Sequence, residues 1–294
     1  MLLHAECIPC IIQVRYNELA NIIGSDKSIE YLGIILREFS NQILQGKPVN
    51  VTVVATNLFR LVKKLTGIDD PYRDIKRRAN IQGLKLYGKM KQIIDEEDKI
   101  YRRLELAVRA SLLGNSMDLG VAGYTPPNFN ELLDRLWRIK IIGLGNIKTL
   151  YNLKNKTVLY LLDNAGEAAL DKLLAEELAE IGAKVIGVVK SGSFQNDITI
   201  NEVSELDLEQ SFNEIIETGT DASSIFLNEI SSKLREKLST SDIIIAKGMA
   251  HYEYLTDVEN IIGKPIMYLL RAKCDPVAKS LKANKGDFIL HLSK

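Results

Sequence analysis

Cysteine and histidine are both scarce: the chain of 294 residues has three of each. Three thiols do not make a disulfide framework, and three imidazoles do not furnish a histidine-rich catalytic zinc site. Neither sign of charge is in excess, since Lys+Arg and Asp+Glu both number 38. That balance gives no electrostatic reason to expect a nucleic acid or a membrane surface as partner. No apolar run approaches the ~18–20 residues of a membrane span. Met1 to Glu6 carry no basic stretch ahead of an apolar one, so a cytoplasmic protein is expected. HExxH, Walker A and GxSxG patterns do not occur. What is there is an ordinary globular composition, 46% hydrophobic and 26% charged, enough for one large or two ordinary domains.

The pattern changes near residue 150. Before it, helical periodicity covers Cys10 to Ile23, Ser25 or Asp26 to Leu44, Val51 to Leu65, a segment opened by Asp69-Asp70-Pro71-Tyr72 that runs to Ile94, and Ile100 to Leu113. The basic cluster Arg73, Lys76, Arg77 and Arg78 is expected on a solvated helix face. After it, short β-prone runs alternate with helical ones, which argues a parallel sheet. The expected strands are Val158–Leu162, Val185–Val189, Ile243–Ala246, Ile266–Leu270 and Phe288–Leu292, with Glu214–Thr218 weaker. Helices are expected over Glu167–Ile181, Ser224–Leu238 and from about Cys274. This divides the chain into a helical domain over 1–150 and an α/β domain over 151–294.

Ligands of parallel α/β sheets bind outside the carboxyl ends of the strands, at the start of the following helix. The first expected strand runs into Asp163-Asn164-Ala165-Gly166-Glu167. An Asp carboxylate beside an Asn carbonyl is a hard oxygen pair of the type that suits Mg²⁺ or Mn²⁺, and equally a helix cap. Asp197, in the polar loop after the second strand, is either a turn residue or a third oxygen donor to that site. Lys247-Gly248 follows the strand ending at Ala246, and Arg271 and Lys273 follow the next. A lysine there places a compact positive charge suited to phosphate at the same edge. The weight comes from convergence: four strand ends carry acids, an amide and cations. Cys7-Ile8-Pro9-Cys10 is half of a zinc-ribbon signature. With His4 and Cys274 it leaves open a zinc site, a redox pair or plain structural cysteines.

Cys7-x-x-Cys10, Asp70-Pro71-Tyr72 with Lys76 and Asn80, Gly114-Asn115 with Asp118, Asp163-Asn164-Ala165-Gly166-Glu167, Asn196-Asp197-x-Thr199, Lys247-Gly248 with Tyr252-Glu253, and Lys273-Cys274 follow one another along the chain. Taken in that order, these motifs resemble the metal-dependent damage-control phosphatases, the ARMT-like domain family. They span nearly the whole chain, and the CxxC form resembles the branch of archaea and some bacteria. The resemblance implies a helical N-terminal domain packed on a three-layer α/β/α domain with a mostly parallel sheet. It implies a divalent ion (Mn²⁺, Ni²⁺, Co²⁺ or Mg²⁺) in the cleft between them, held by Asp163, Asn164 and Asp197. It implies substrate contacts from Asn115, Gly248, Tyr252, Glu253 and Lys273, with His251 standing where Asn is usual. The implied reaction is hydrolysis of small phosphomonoesters such as sugar phosphates, in metabolite damage control. Lys247 would stabilise phosphoryl charge, and Glu167 or Asp118 would orient the water. Two other classes stay open. One is an S-adenosylmethionine-dependent methyltransferase, against which the missing glycine-rich turn counts. The other is a non-catalytic metal or thiol protein organised by Cys7, Cys10 and Cys274.

Overall fold

The computed structural model describes residues 1–44, 48–117 and 129–293; Asp118 lies outside them. The helices are α1 (Cys7–Ile23), α2 (Ser25–Leu44), α3 (Val51–Thr66), α4 (Arg73–Asp95), α5 (Ile100–Gly114), α6 (Phe129–Arg135), α7 (Ile147–Leu150), α8 (Glu167–Glu180), α9 (Ser232–Thr240), α10 (Gly248–Leu255), α11 (Glu259–Ile262) and α12 (Asp275–Ser280). The strands are β1 (Ile141–Ile142), β2 (Thr157–Leu161), β3 (Lys184–Val189), β4 (Glu214–Glu217), β5 (Ile243–Lys247), β6 (Ile266–Arg271) and β7 (Phe288–Leu292). They form one sheet in the order β1-β7-β6-β5-β2-β3-β4, parallel except where β7 runs against β6. The fold is α/β with a mostly parallel sheet.

The unbroken apolar runs of β2, β5 and β6 are explained by burial on both faces. Alternate residues divide between two cores, as the strand period of two requires. Val158, Tyr160, Val185, Ile245 and Leu269 pack with Leu104 and Leu113 of α5 and Leu170 and Leu174 of α8. Leu159, Leu161, Ile186, Ile244 and Tyr268 pack with Leu234 of α9, Leu255 of α10 and Val277 of α12. Three layers result. Helices α1 to α3 have a core of their own, built on Leu19, Ile35, Phe39, Val54 and Leu58. Leu86, Met90 and Ile94 of α4 instead join the α5–α8 side of the sheet core. The first half of the chain therefore supplies both a small helical bundle and one outer layer of the α/β sandwich.

Two local expectations change, and one strand is added. The helix sought over Ser224–Leu238 starts only at Ser232, where the Ser231 hydroxyl caps it by accepting from the Leu234 amide at 3.1 Å. Ahead of it, the Ser231 amide is committed to Thr218, and Ala222 to the Thr220 hydroxyl, so this stretch turns under α3. Lys76 is not on a solvated face: it is fully buried, with Nζ at 2.7 Å from Asp70 and 2.8 Å from Glu202. Strand β1 is two residues long, too short to carry a period, and owes its existence to pairing with Phe288 and Ile289.

Candidate active site

The carboxyl end of β2 meets the loop after β3 in a set of backbone bonds. The Asp163 carbonyl accepts from the Ile198 amide, and the Ala165 amide donates to Asn196, both at 2.9 Å; Asn164 and Asp197 form an antiparallel bridge. The Asp-Asn pair and the second Asp are thus fixed side by side by main chain. Glycine at 166 is required where the chain enters α8. Its φ is +76°, and a Cβ there would stand 2.6 Å from the Ala79 carbonyl of α4. A Cβ at Gly83 of α4 would in turn lie 2.2 Å from the Gly166 carbonyl, so the two backbones touch. Asn80 completes the join by accepting from the Gly166 amide at 2.7 Å.

Behind the acids lies a dry polar network. Asn115 Nδ2 donates to Asp163 Oδ2 at 3.1 Å and to both Glu167 oxygens at 3.0–3.1 Å, while its Oδ1 accepts from the Arg271 amide at 2.9 Å. Asn164 Nδ2 donates to Asp163 Oδ2 and Glu167 Oε2, both at 2.8 Å. With its amine so committed, Asn164 has its carbonyl oxygen left for a cation. Lys247 is expected at the phosphoryl group, but its setting is different. It is fully buried, with Nζ at 2.9 Å from both Glu167 and Asp171 and 2.7 Å from the carbonyl and hydroxyl of Ser111. Burial opposes its charge, but Asp171 and Glu167 outweigh it and hold its pKa above the usual lysine range. Burial, reinforced by the charge of Glu167 against the pull of Lys247, raises Asp171 to about 6.

In front of the acids is a cavity of about 280 Å³. Asp163, Asn164 and Asp197 line it together with Gln195, Glu253, Lys273 and Lys285, and so do all three cysteines and Met249. The cysteines are therefore part of the cavity wall, although the sequence puts two of them at the far end of the chain from the acids. All three thiols are free. Among the described residues no group of three or more His, Cys, Asp and Glu side chains stands ready to hold a metal; Asp163, Asn164 and Asp197 put two carboxylates and one amide on the cavity wall. Burial raises Glu253 to about 7.

The other expected residues fall out as follows. Gly248 is packed on Asp163: a Cβ there would stand 1.8 Å from Oδ2, and its φ is +74°. Tyr252 is turned away, its hydroxyl 3.1 Å from Ser280 and its ring against Tyr268. His251 is buried between Ser224 Oγ at 3.0 Å and the Leu162 carbonyl at 3.3 Å; burial holds it neutral. Two residues escape the sequence reading. Gln195 lines the cavity with φ +44° and donates to the buried Glu18 at 3.1 Å. Lys190, at the end of β3, is buried with Nζ at 3.5 Å from Asp197 Oδ2. A lysine at the end of a buried strand marked Lys247, and the same signal was available at Lys190.

A mostly parallel α/β sheet with two acids and an amide at its carboxyl edge opens there on a small, metabolite-sized cavity. Residues 3–289 match the damage-control phosphatase ARMT1-like domain, and the chain belongs to that family. It is 32% identical over 293 residues to a damage-control phosphatase of Archaeoglobus fulgidus, covering 96% of each chain. It is 27% identical to a damage-control phosphatase of Pyrococcus horikoshii, covering 98% of this chain and 97% of the other. The crystal structure of a DUF89 family protein from Pyrococcus horikoshii superposes with a TM-score of 0.85 over the whole of both chains, at 25% identity.

Proposed function

We propose that the protein is a metal-dependent phosphatase of small phosphomonoesters, sugar phosphates among them, with a divalent ion held by Asp163, Asn164 and Asp197. The observation that carries this reading is the meeting of those three oxygen donors on the wall of one 280 Å³ cavity that two lysines also line. The donor set fits the ion: two carboxylates and an amide are hard ligands that leave positions for water and a phosphate oxygen. Mn²⁺, Ni²⁺, Co²⁺ and Mg²⁺ are the candidates. Bound there, the ion supplies Lewis-acid charge and a more acidic water.

The chain's own residues bind, position and move protons. Lys273, which lines the same cavity, meets the phosphate as a point charge. Glu167 is fully buried and does not line the cavity, so it and Lys247 are positioning residues. They fix the amides of Asn115 and Asn164, and through them the Asp163 carboxylate. Glu253 lines the cavity and its pKa of about 7 keeps a good share of it protonated at neutral pH. That suits it to hand a proton to the departing alkoxide. The test is a phosphatase screen over phosphorylated metabolites after exhaustive chelation, repeated with each ion. Turnover should vanish with chelator and return with at least one first-row or alkaline-earth ion. Full activity in chelator would refute the reading.

A further inference from the structure

Lys190 plays no part in the mechanism above, yet it is among the most deeply buried cations of the molecule at 1% exposure. Its backbone is locked to the same loop that presents Asp197: the Lys190 amide donates to Ile198 at 3.0 Å, its carbonyl accepts from Ile200 at 3.1 Å, and it bridges Thr199. Its ammonium donates to the Ala222 carbonyl at 2.7 Å and lies 3.5 Å from Asp197 Oδ2. Asp197 is 5% exposed and Asp163 is 5% exposed. Two carboxylates so little exposed repel each other unless a cation is close. Lys247 does not fill that role, because Glu167 and Asp171 already occupy it.

We propose that Lys190 is a resident counter-ion of the metal site, offsetting part of the charge of the Asp163–Asp197 pair in the metal-free protein and opposing the divalent ion when it enters. This rests on the metal reading above. Lys190 is then a residue that sets metal affinity, lowering it, while sparing the empty site from mutual repulsion. The logic is linkage: removing the ammonium destabilises the metal-free state more than the loaded one, so the ion binds more tightly.

The experiment compares wild type, Lys190→Met, Lys190→Arg and Asp163→Ala by Mn²⁺ calorimetry and by thermal melts with and without Mn²⁺. Lys190→Met should bind Mn²⁺ about tenfold tighter or more, and its melting temperature should rise further on adding Mn²⁺ than that of wild type. Lys190→Arg, which keeps the charge, should stay near wild type. If Lys190→Met does not fold without metal, rescue of folding by Mn²⁺ supports the proposal, and failure to fold at Mn²⁺ concentrations that saturate wild type overturns it. Unchanged or weaker Mn²⁺ binding in a folded Lys190→Met also overturns it, and would make Lys190 a mere prop for Asp197. Wild type that binds no Mn²⁺ would instead remove the metal reading itself. Wild-type binding that is lost in Asp163→Ala keeps the two outcomes separate.

Discussion

The cavity wall has an oxygen side and a sulfur side, and they are held by different forces. Asp163 and Asn164 follow β2 and Asp197 sits in the loop after β3; main-chain bonds at 2.9 Å tie the two segments, and side-chain bonds at 2.8–3.1 Å hold Asp163 and Asn164. Cys7, Cys10, Cys274 and Met249 line the same space but come from the first turn of α1, the cap of α12 and the first turn of α10. Burial and the nearby Glu253 raise Cys274 to about 12, and burial raises Cys7 as well, so both stand as neutral thiols near pH 7. The oxygen side is preorganised for charge, and the sulfur side is an apolar wall. The contrast teaches that lining a cavity is a weak sign of chemistry, while being held in place by buried charge is a strong one.

The harshest way to break the oxygen side is Asp163→Ala. It should abolish Mn²⁺ binding by calorimetry and turnover together, with circular dichroism unchanged. Metal binding near wild type in this variant would refute the site. Gly248→Ala attacks the same carboxylate without touching its charge. The added Cβ, 1.8 Å from Asp163 Oδ2 and at φ +74°, forces the carboxylate aside. Mn²⁺ affinity should fall about 10–100-fold, the range seen when the support of a metal ligand is lost.

Lys247→Met tests whether the support behind the oxygen side is structural. It leaves Glu167 and Asp171 buried without their shared cation, which costs about 3–5 kcal/mol and is read by urea unfolding. The pH dependence has a definite sign. Asp171 is raised from 3.8 to about 6, so the native state binds more protons than the unfolded state between those values. Its contribution to stability is therefore full below pH 3.8 and lost as pH rises through about 6. In Lys247→Met the decline should extend to higher pH, because the attraction that restrains the shift is gone. A variant with wild-type stability and lower kcat would return Lys247 to the phosphoryl group.

Glu253→Gln sharpens the boundary, since Glu253 sits where the two sides meet. If it donates a proton, kcat should fall about 10²-fold and the loss of activity above pH 7 should disappear from the profile. Its folded pKa is raised from 4.5 to about 7, so wild-type stability should fall as pH rises across that window. The variant should lack the decline and be the more stable protein at pH 8. A wild-type pH–rate profile in the variant would remove Glu253 from proton transfer.

Much of this was legible in the sequence for physical reasons. β2, β5 and β6 are buried on both faces, so their apolar runs announce strands, and ligands of parallel sheets gather at their carboxyl ends. That rule singled out Asp163, Asn164 and Asp197, which the fold brings to one cavity wall. It put Lys247 at the ligand, but a strand-end lysine can also turn back to a buried acid, and Asp171, one helical turn into α8, becomes its partner only in three dimensions. Lys76 failed for a related reason: Asp70 is only six residues away, but the second acid that draws it inward, Glu202, is distant in sequence. The place of the cysteines was illegible because nothing local says that α1 folds over the loop before α12. The shared core of α4 with the sheet was hidden too, since an amphipathic helix does not name the surface it will cover.

The smallest effect should come from Cys7→Ser combined with Cys10→Ser. Both residues are half-buried and line the cavity, so the variant changes the wall without changing the charge of the oxygen side. A hydroxyl in place of a half-buried thiol costs about 1 kcal/mol where it lacks a partner, and a modest drop in melting temperature is expected. Mn²⁺ affinity should match wild type and kcat/KM should stay within about threefold, because neither thiol belongs to the charged oxygen side. Serine is smaller than cysteine, so any rise in KM for bulky esters would report shape alone. Loss of turnover as complete as in Asp163→Ala, with the fold intact, would show that the sulfur side takes part in the reaction and that the division of the wall into two kinds is mistaken.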